Sequence, residues 1–287
     1  MTVFNPQMSS SAAFSILAMT PLSELMALAE RATIGHHGGI VNYSRKVFIP
    51  LTRLCRDPLE IQHGPQSLNE PLETYLSRLK AAGLSTLPGT AAEILDDDVR
   101  AIICPDKVTA RELLDVMRTA HEVGLQSTAT IMFGHVDGYE HWARHLLAIR
   151  DLQEETGGFT EFVPLPFVHM EAPIWRSGKA RSGPSFREAL LMHAITRLAL
   201  HPLIPNIQAS WVKMGREGVA SALRAGVNDL GGTLMDESIT HAAEGQHGQP
   251  RGIEEMTTIA ACAGRPLRQR TTTYGVVPAS QFQMAGS

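Results

Sequence analysis

Residues 109–168, TARELLDVMRTAHEVGLQSTATIMFGHVDGYEHWARHLLAIRDLQEETGGFTEFVPLPFV, decide the fold class. The stretch opens on a capping box, Thr109 with Glu112 three residues on, followed by Leu113, Leu114, Val116, Met117 and Ala120 at helical spacing. Gly124 stops that helix, and the β-rich run 127–133 follows at once. A second helix is predicted over 139–155, stopped by Gly157 and Gly158, with a strand over 162–168 behind it. Helix, strand, helix, strand at this spacing is the repeat of a parallel sheet whose crossovers are helices.

The same alternation extends in both directions. Downstream, a helix over 186–200 precedes a strand over 207–213, a short helix over 217–224 precedes a strand over 229–235, and a helix over 254–263 leads into a polar tail expected to fray. Upstream, a helix over 72–82 stops at Gly83 before a strand over 84–87. Residues 56–72, RDPLEIQHGPQSLNEPL, carry three prolines and a glycine and read as an irregular junction. Before it, 47–51 reads as a short buried strand, and a helix starts at Thr20 as N-cap with Pro21 behind it. So many βα units in series favour an α/β fold, an incomplete (β/α) barrel of about six parallel strands, over a doubly wound sheet. A closed eight-stranded barrel needs two more units, and the short stretch between Cys55 and Leu84 has no room for them at roughly 30 residues per βαβ. The expected division is 1–20 disordered, 21–55 the first helix and strand, 56–72 the junction, 73–270 the remaining units and 271–287 a tail.

The chain has 287 residues, 44% of them hydrophobic and 19% charged, which excludes wholesale disorder. Twenty-five Lys and Arg against 29 Asp and Glu give a net charge of −4, so no dedicated nucleic-acid surface is expected. No apolar run reaches the ~18 residues of a membrane helix, and no Lys or Arg precedes the apolar stretch in the first 20 residues, so no secretory leader is expected. Three scattered cysteines, Cys55, Cys104 and Cys262, do not make a disulfide framework and suit a reducing cytoplasm. Cys104 and Cys262 read as small buried hydrophobes.

In parallel barrels the chemistry sits on the loops after the strands. Those positions hold Gly134, His135 and Asp137; His169 and Glu171; Ser210, Trp211 and Lys213; and Thr233, Asp236 and Glu237. Glu93 is expected at a helix start. Each also has a plain reading as a turn or a hydrogen-bonded strand end. His135, Asp137, His141 and His145 have the residue types of a zinc or iron site, hence a metal-dependent hydrolase. A solvent-facing amphipathic helix explains His141 and His145 more simply, and His36-His37 reads as a solvated loop.

Residues Asn42–Asp57, NYSRKVFIPLTRLCRD, resemble the opening of the first radical-SAM module of the FO synthase family. From about Pro71 the chain resembles the latter part of that family's second, tyrosine 4-hydroxyphenyl transferase module. The strings are LPGTAAEIL (87–95), TIMFGHVD (130–137), FTEFVPLPFVHMEAP (159–173), HPLIPNIQASWVKMG (201–215), NDLGGTLMDESI (228–239) and RQRTTTYG (268–275). The resemblance implies a radical-SAM barrel, a 4Fe–4S cluster and S-adenosylmethionine, with tyrosine and 5-amino-6-ribitylaminouracil as substrates for deazaflavin coenzyme biosynthesis. By the same resemblance, Gly134, His135, Asp137 and Glu93 fall on the cofactor side, and His169, Asn228, Thr233 and Glu237 on the substrate side. The family holds its cluster with C-x3-C-x2-C. Here Cys55 stands first, and Leu59 and Gln62 occupy the other two positions. The join between the modules thus falls where the strands are missing. The expectation is a chain impaired in its radical chemistry or kept as a non-catalytic ligand- or partner-binding barrel, with uncovered strand edges favouring a homo-oligomer.

Overall fold

The structure, a computed structural model, describes residues 19–45, 64–89, 92–170, 172–233 and 252–277. The expected strand at 47–51, Cys55, Leu59, Gln62, Glu171, Asp236 and Glu237 lie outside the described residues. In chain order the elements are α1 (Leu22–His37), β1 (Val41–Arg45), α2 (Leu72–Ala81), β2 (Thr86–Leu87), α3 (Asp97–Ile103), α4 (Ala110–Glu122), β3 (Gln126–Phe133), α5 (Tyr139–Thr156) and β4 (Phe159–Pro166). They continue with α6 (Pro173–Arg176), α7 (Phe186–Leu200), α8 (Trp211–Arg224), β5 (Asp229–Thr233), α9 (Ile253–Cys262) and β6 (Leu267–Arg270).

Among the described residues six parallel strands form two three-stranded sheets, β2-β3-β4 and β5-β1-β6. Parallel bridges from Phe162 to Ile207 and from Gln208 to Asp229 join them, so the strand order runs β2-β3-β4-(207–208)-β5-β1-β6. This is the incomplete (β/α) barrel expected from the strand/helix alternation. Among the described residues the helices cover the face to which the apolar side chains of β3 point. Ala129, Ile131 and Phe133 of β3 enter the hydrophobic core, with Phe133 5.4 Å from the Trp142 ring of α5. Burying each large side chain of this set contributes roughly 1.5–3 kcal/mol. α7 is buried along nearly its whole length because α1 packs on it from outside; a helix covered on all sides is apolar all round.

Buried arginines clamp the loops between these layers. Arg197 donates to the carbonyls of Gly226 and Pro205 and to Asn228 Oδ1, and its burial brings its pKa down to about 9. Arg265 donates to the carbonyls of Gly39, Leu223, Val227 and Ile40, tying the α1–β1 turn to the α8–β5 loop. Carbonyls that water cannot reach need such donors.

Several expectations are corrected. The strand over 207–213 shrinks to the bridges at 207 and 208, because Ser210 already serves as N-cap of α8 and Trp211 is helical. α8 therefore starts six residues before Glu217 and kinks at Gly215. The tail does not fray at once, since residues 267–270 form β6 against β1 and Tyr274 is half-buried beyond it. Within the expected junction, 64–68 is helical. β4 begins at Phe159 and ends at Pro166 rather than running to Val168. His36 and His37 belong to the last turn of α1, where His37 Nε2 lies 2.7 Å from the Pro205 carbonyl. Pro21, not Thr20, is the N-cap of α1. Cys104 is half-buried and Cys262 exposed, so neither is a core hydrophobe.

Candidate functional site

With the helices on the convex side, the other face of the sheet is a concave polar surface. Pairing fixes its members. Phe162 faces outward, 5.8 Å from the His145 ring, so Glu161 faces inward. Phe162 pairs with Ile207, which is in the core, so Gln208 faces inward too, beside its partner Asp229. β4 and β6 are separated in the sheet by 207–208, β5 and β1. A contact between Glu161 and Arg270 must therefore cross the concavity, and it does, at 3.4 Å.

Arg270 is the hub. Its Nη2 donates to Asp229 Oδ1 at 2.9 Å, and its Nε donates to Asp229 Oδ2. The guanidinium carbon lies 3.8 Å over the Tyr274 ring, and the Tyr274 hydroxyl donates to Glu161 Oε2. Burial pushes Asp229 up to about 6 against the pull of Arg270. Burial works to lower the Arg270 pKa, but the Asp229 hydrogen bond and the neighbouring charges outweigh it and raise it. Burial, with both carboxylates nearby, holds the Tyr274 phenol well above its usual value. In the sequence, RQRTTTYG gives Arg270 and Tyr274 no assigned role. A charged R-x-R at strand spacing, after the last helix, was the available signal.

The expected site residues divide. Gly134, His135 and Asp137 form a loop after β3 that satisfies itself. Asp137 Oδ1 and Oδ2 accept from the Gly134 N–H, Oδ1 also accepts from the His135 N–H at 2.7 Å, and Trp142 Nε1 donates to Oδ2. His135 Nδ1 accepts from the Val136 N–H and Nε2 bonds the Met132 carbonyl, while burial lowers its pKa, partly offset by Asp137. Both ring nitrogens are occupied. Glu93 is not at a helix start: its φ is +45°, and its carboxylate pairs with Lys107 at 2.9 Å. The His169 ring lies 4.5 Å from Trp175. Asn228 is fully buried and accepts from Arg197 and from the Ile207 N–H, which accounts for it as a loop anchor. Thr233 ends β5 opposite Arg45. Trp211 Nε1 donates to the Gly232 carbonyl. Beyond the C-terminal end of β4, a cavity of about 250 Å³ is lined by Phe167, Ser185, Phe186, Lys213 and Met214 among others.

The metal-hydrolase reading is not supported. His141 Nδ1 accepts from the Gly138 N–H, and His145 is fully buried with Nδ1 accepting from the Leu95 N–H, so it does not face solvent either. Among the described residues no three His, Cys, Asp or Glu side chains converge on a metal position. No helix among them is long and apolar enough to cross a membrane.

Gly134 has a φ of +93°, and a β-carbon there would lie 2.3 Å from Pro184 Cδ. Gly134→Ala is expected to cost about 1–3 kcal/mol from the strained backbone alone, and more from the collision. A melt unchanged to within a degree would refute the close approach of the two loops.

Residues 156–281 match the family described as the CofH/MqnC C-terminal region. The chain is 50% identical to the FO synthase of Nocardia farcinica over 77% of its own length and 25% of that protein's. It is 46% identical to the 5-amino-6-(D-ribitylamino)uracil–L-tyrosine 4-hydroxyphenyl transferase of Methanocaldococcus jannaschii, over 77% of this chain and 61% of that one. It therefore spans about a quarter of the FO synthases it matches. Among solved structures it resembles the hydrogenase maturase HydG from Carboxydothermus hydrogenoformans, with a TM-score of 0.65 at 12% identity over 92% of this chain and 77% of that one. It also resembles the methylornithine synthase PylB, with a TM-score of 0.58 at 13% identity over 90% and 98%. Over some three quarters of its length the chain is similar to FO synthase, and it folds as an incomplete (β/α) barrel.

Proposed function

We propose that this chain is an FO-synthase-type barrel that holds substrates of 4-hydroxyphenyl transfer, the ribitylaminouracil foremost, on its concave face but does not itself cleave S-adenosylmethionine. The similarity to the transferase supports the substrate class, and the polar concave face supplies the groups to hold it. The donor set for the cluster carries the second half. A cluster of the family's kind takes three thiolates from one loop. The whole chain has three cysteines, and Leu59 and Gln62 stand at the second and third positions of the motif. Cys104 closes α3, its thiol pKa raised by burial, and Cys262 is exposed on α9, so neither completes the set. The residues present do not fit a three-cysteine cluster. The same reading places the chain in the cytoplasm, where its cysteines stay reduced, and has it self-associate through uncovered strand edges.

Anaerobic reconstitution of the full chain with iron and sulfide, followed by dithionite, S-adenosylmethionine, tyrosine and the ribitylaminouracil, tests this. Background iron and no 5′-deoxyadenosine are expected. Iron near four per chain with catalytic 5′-deoxyadenosine would overturn it.

A further inference from the structure

Residues 172–187, APIWRSGKARSGPSFR, carry four cations and no carboxylate in a chain whose net charge is −4. Arg176, Lys179, Arg181 and Arg187 are all exposed. Glu188 takes up Arg181 at 2.7 Å, while Lys179 and Arg187 have no ion pair among the described residues. Arg187 stands in the first turn of α7, where the helix dipole disfavours a cation, so the helix does not account for it. Apolar groups share this surface. Phe186 opens α7 at 57% exposed, and Trp175 is 38% exposed with its ring against His169. Phe186 and Met214 line two adjoining cavities. One, of about 250 Å³, is closed by Phe167, Pro184 and Lys213, and the other, of about 600 Å³, reaches Arg216 and Glu255. The loop is held from behind: the Arg181 N–H donates to the His135 carbonyl at 3.2 Å and the Lys179 N–H to the Ile174 carbonyl at 3.0 Å. Gly183 has a φ of +114°, and a β-carbon there would lie 2.7 Å from the Phe167 carbonyl oxygen. A surface ordered in advance loses little entropy when a partner lands on it.

We propose that this face docks an acidic polypeptide segment, its carboxylates meeting Lys179 and Arg187 and an apolar side chain entering the cavity beside Phe186. The run of exposed cations selects an acidic partner by charge complementarity. The recesses on either side of Phe186 select a polypeptide, because separate side chains enter separate cavities, whereas a bilayer takes up apolar groups that project. A single phosphate is disfavoured, since the first N–H groups of α7 are already used. Glu188 Oε2 accepts from the Ser185 N–H, and Ser185 Oγ accepts from the Glu188 N–H. This docking lies outside the concave face and does not depend on the proposed function.

The test is fluorescence anisotropy of the full chain with a labelled glutamate-rich peptide carrying one phenylalanine and one leucine. The same peptide with lysine for glutamate, and phosphatidylserine vesicles, are run beside it. At low salt the glutamate peptide is expected to bind about tenfold more tightly than the lysine peptide, and to weaken as salt rises. Lys179→Glu combined with Arg187→Glu is expected to weaken it about tenfold, the worth of two reversed rim charges. Phe186→Ser is expected to weaken it about fivefold through the lost apolar contact. All three positions are exposed, and glutamate suits the first turn of α7, so the melts should stay close to wild type. Arg111→Glu, on α4 with a side chain 91% exposed, controls for charge alone and should leave binding unchanged. The proposal is overturned if wild-type protein does not prefer the glutamate peptide, or if either loop variant binds it as tightly as wild type. It is equally overturned if Arg111→Glu weakens binding as much as the loop reversal, or if the protein takes up the vesicles and not the peptide. Should the charge-reversed variant fail to fold, Phe186→Ser and the preference between the two peptides decide.

Discussion

Arg270→Met is expected to remove about 3–5 kcal/mol of unfolding free energy, the usual consequence of stripping one partner from a buried ion pair. The Arg270 side chain is 4% exposed and that of Asp229 is fully buried. Without the guanidinium, and among the described residues, Asp229 keeps only the Gly231 N–H at 2.7 Å and Glu161 keeps only the Tyr274 hydroxyl. Methionine fills the stem but supplies no charge, so both carboxyl groups face a low-dielectric interior and must bind protons or open the fold. The same change unhooks the crossing between β4 and β6, which no sheet hydrogen bond replaces. Domains of this kind have about 5–15 kcal/mol in total, so the loss is a large share of the whole. Urea titration at neutral pH measures it. Adding Asp229→Asn to Arg270→Met should recover part of the loss, since the pair is replaced rather than broken. A single variant within about 1 kcal/mol of wild type would show that water already reaches the pair.

The convex half of this fold is legible in the sequence because its residues obey one rule at a time. Thr109 and Glu112 form the capping box their spacing announces, with the Thr109 side chain accepting from the Glu112 N–H. Phe186–Leu200 is a helix over the range its apolar periodicity gives. The concave half obeys two rules at once and misleads. Ile207 and Gln208 begin like a strand, but Ser210 turns the chain into α8 after two residues, so alternation over 207–213 overstates the strand. LRQR has almost no apolar content, yet it is a strand, because it pairs with β1 and Arg270 faces the carboxylates of other strands rather than solvent. The site suffers likewise. Asn228 looks like a ligand-binding residue because it is polar at a strand start, but three protein groups consume its amide. Gln208, two residues before Ser210, is a side chain whose oxygen is left without a partner among the described residues. Sequence shows which residues are polar, and only the packed structure shows which of them the protein has already used.

Mild acid is expected to destabilise this protein through two buried histidines. His145 and His193 are fully buried, and burial drives their pKa values down to about 3 and about 4, from 6.5. The geometry explains why neither accepts a second proton. His145 Nδ1 accepts from the Leu95 N–H, so a proton there breaks that bond. His193 Nδ1 faces the Ala189 carbonyl, leaving Nε2 to take the proton in a place with no acceptor. Both folded values are depressed, so the unfolded chain binds more protons below pH 6.5. The stability is fully present above that value and drains away as pH falls toward the folded pKa. At about pH 5 each histidine costs about 2 kcal/mol, or about 4 together. Asp229 acts in the opposite sense, since its pKa is raised to about 6 and the folded state holds the extra proton between roughly pH 4 and 6. That offsets about 1 kcal/mol and leaves the histidines dominant. His193→Leu separates them. Leucine suits the apolar surroundings, removes the unpartnered nitrogen and should leave stability at pH 7.5 within about 1 kcal/mol of wild type. At pH 5 the variant should be the more stable by about 2 kcal/mol. Urea midpoints taken from pH 7.5 down to 5 show the difference directly: the two profiles should diverge below pH 6.5, and parallel profiles would mean that His193 is protonated as readily in the folded chain as in the unfolded one.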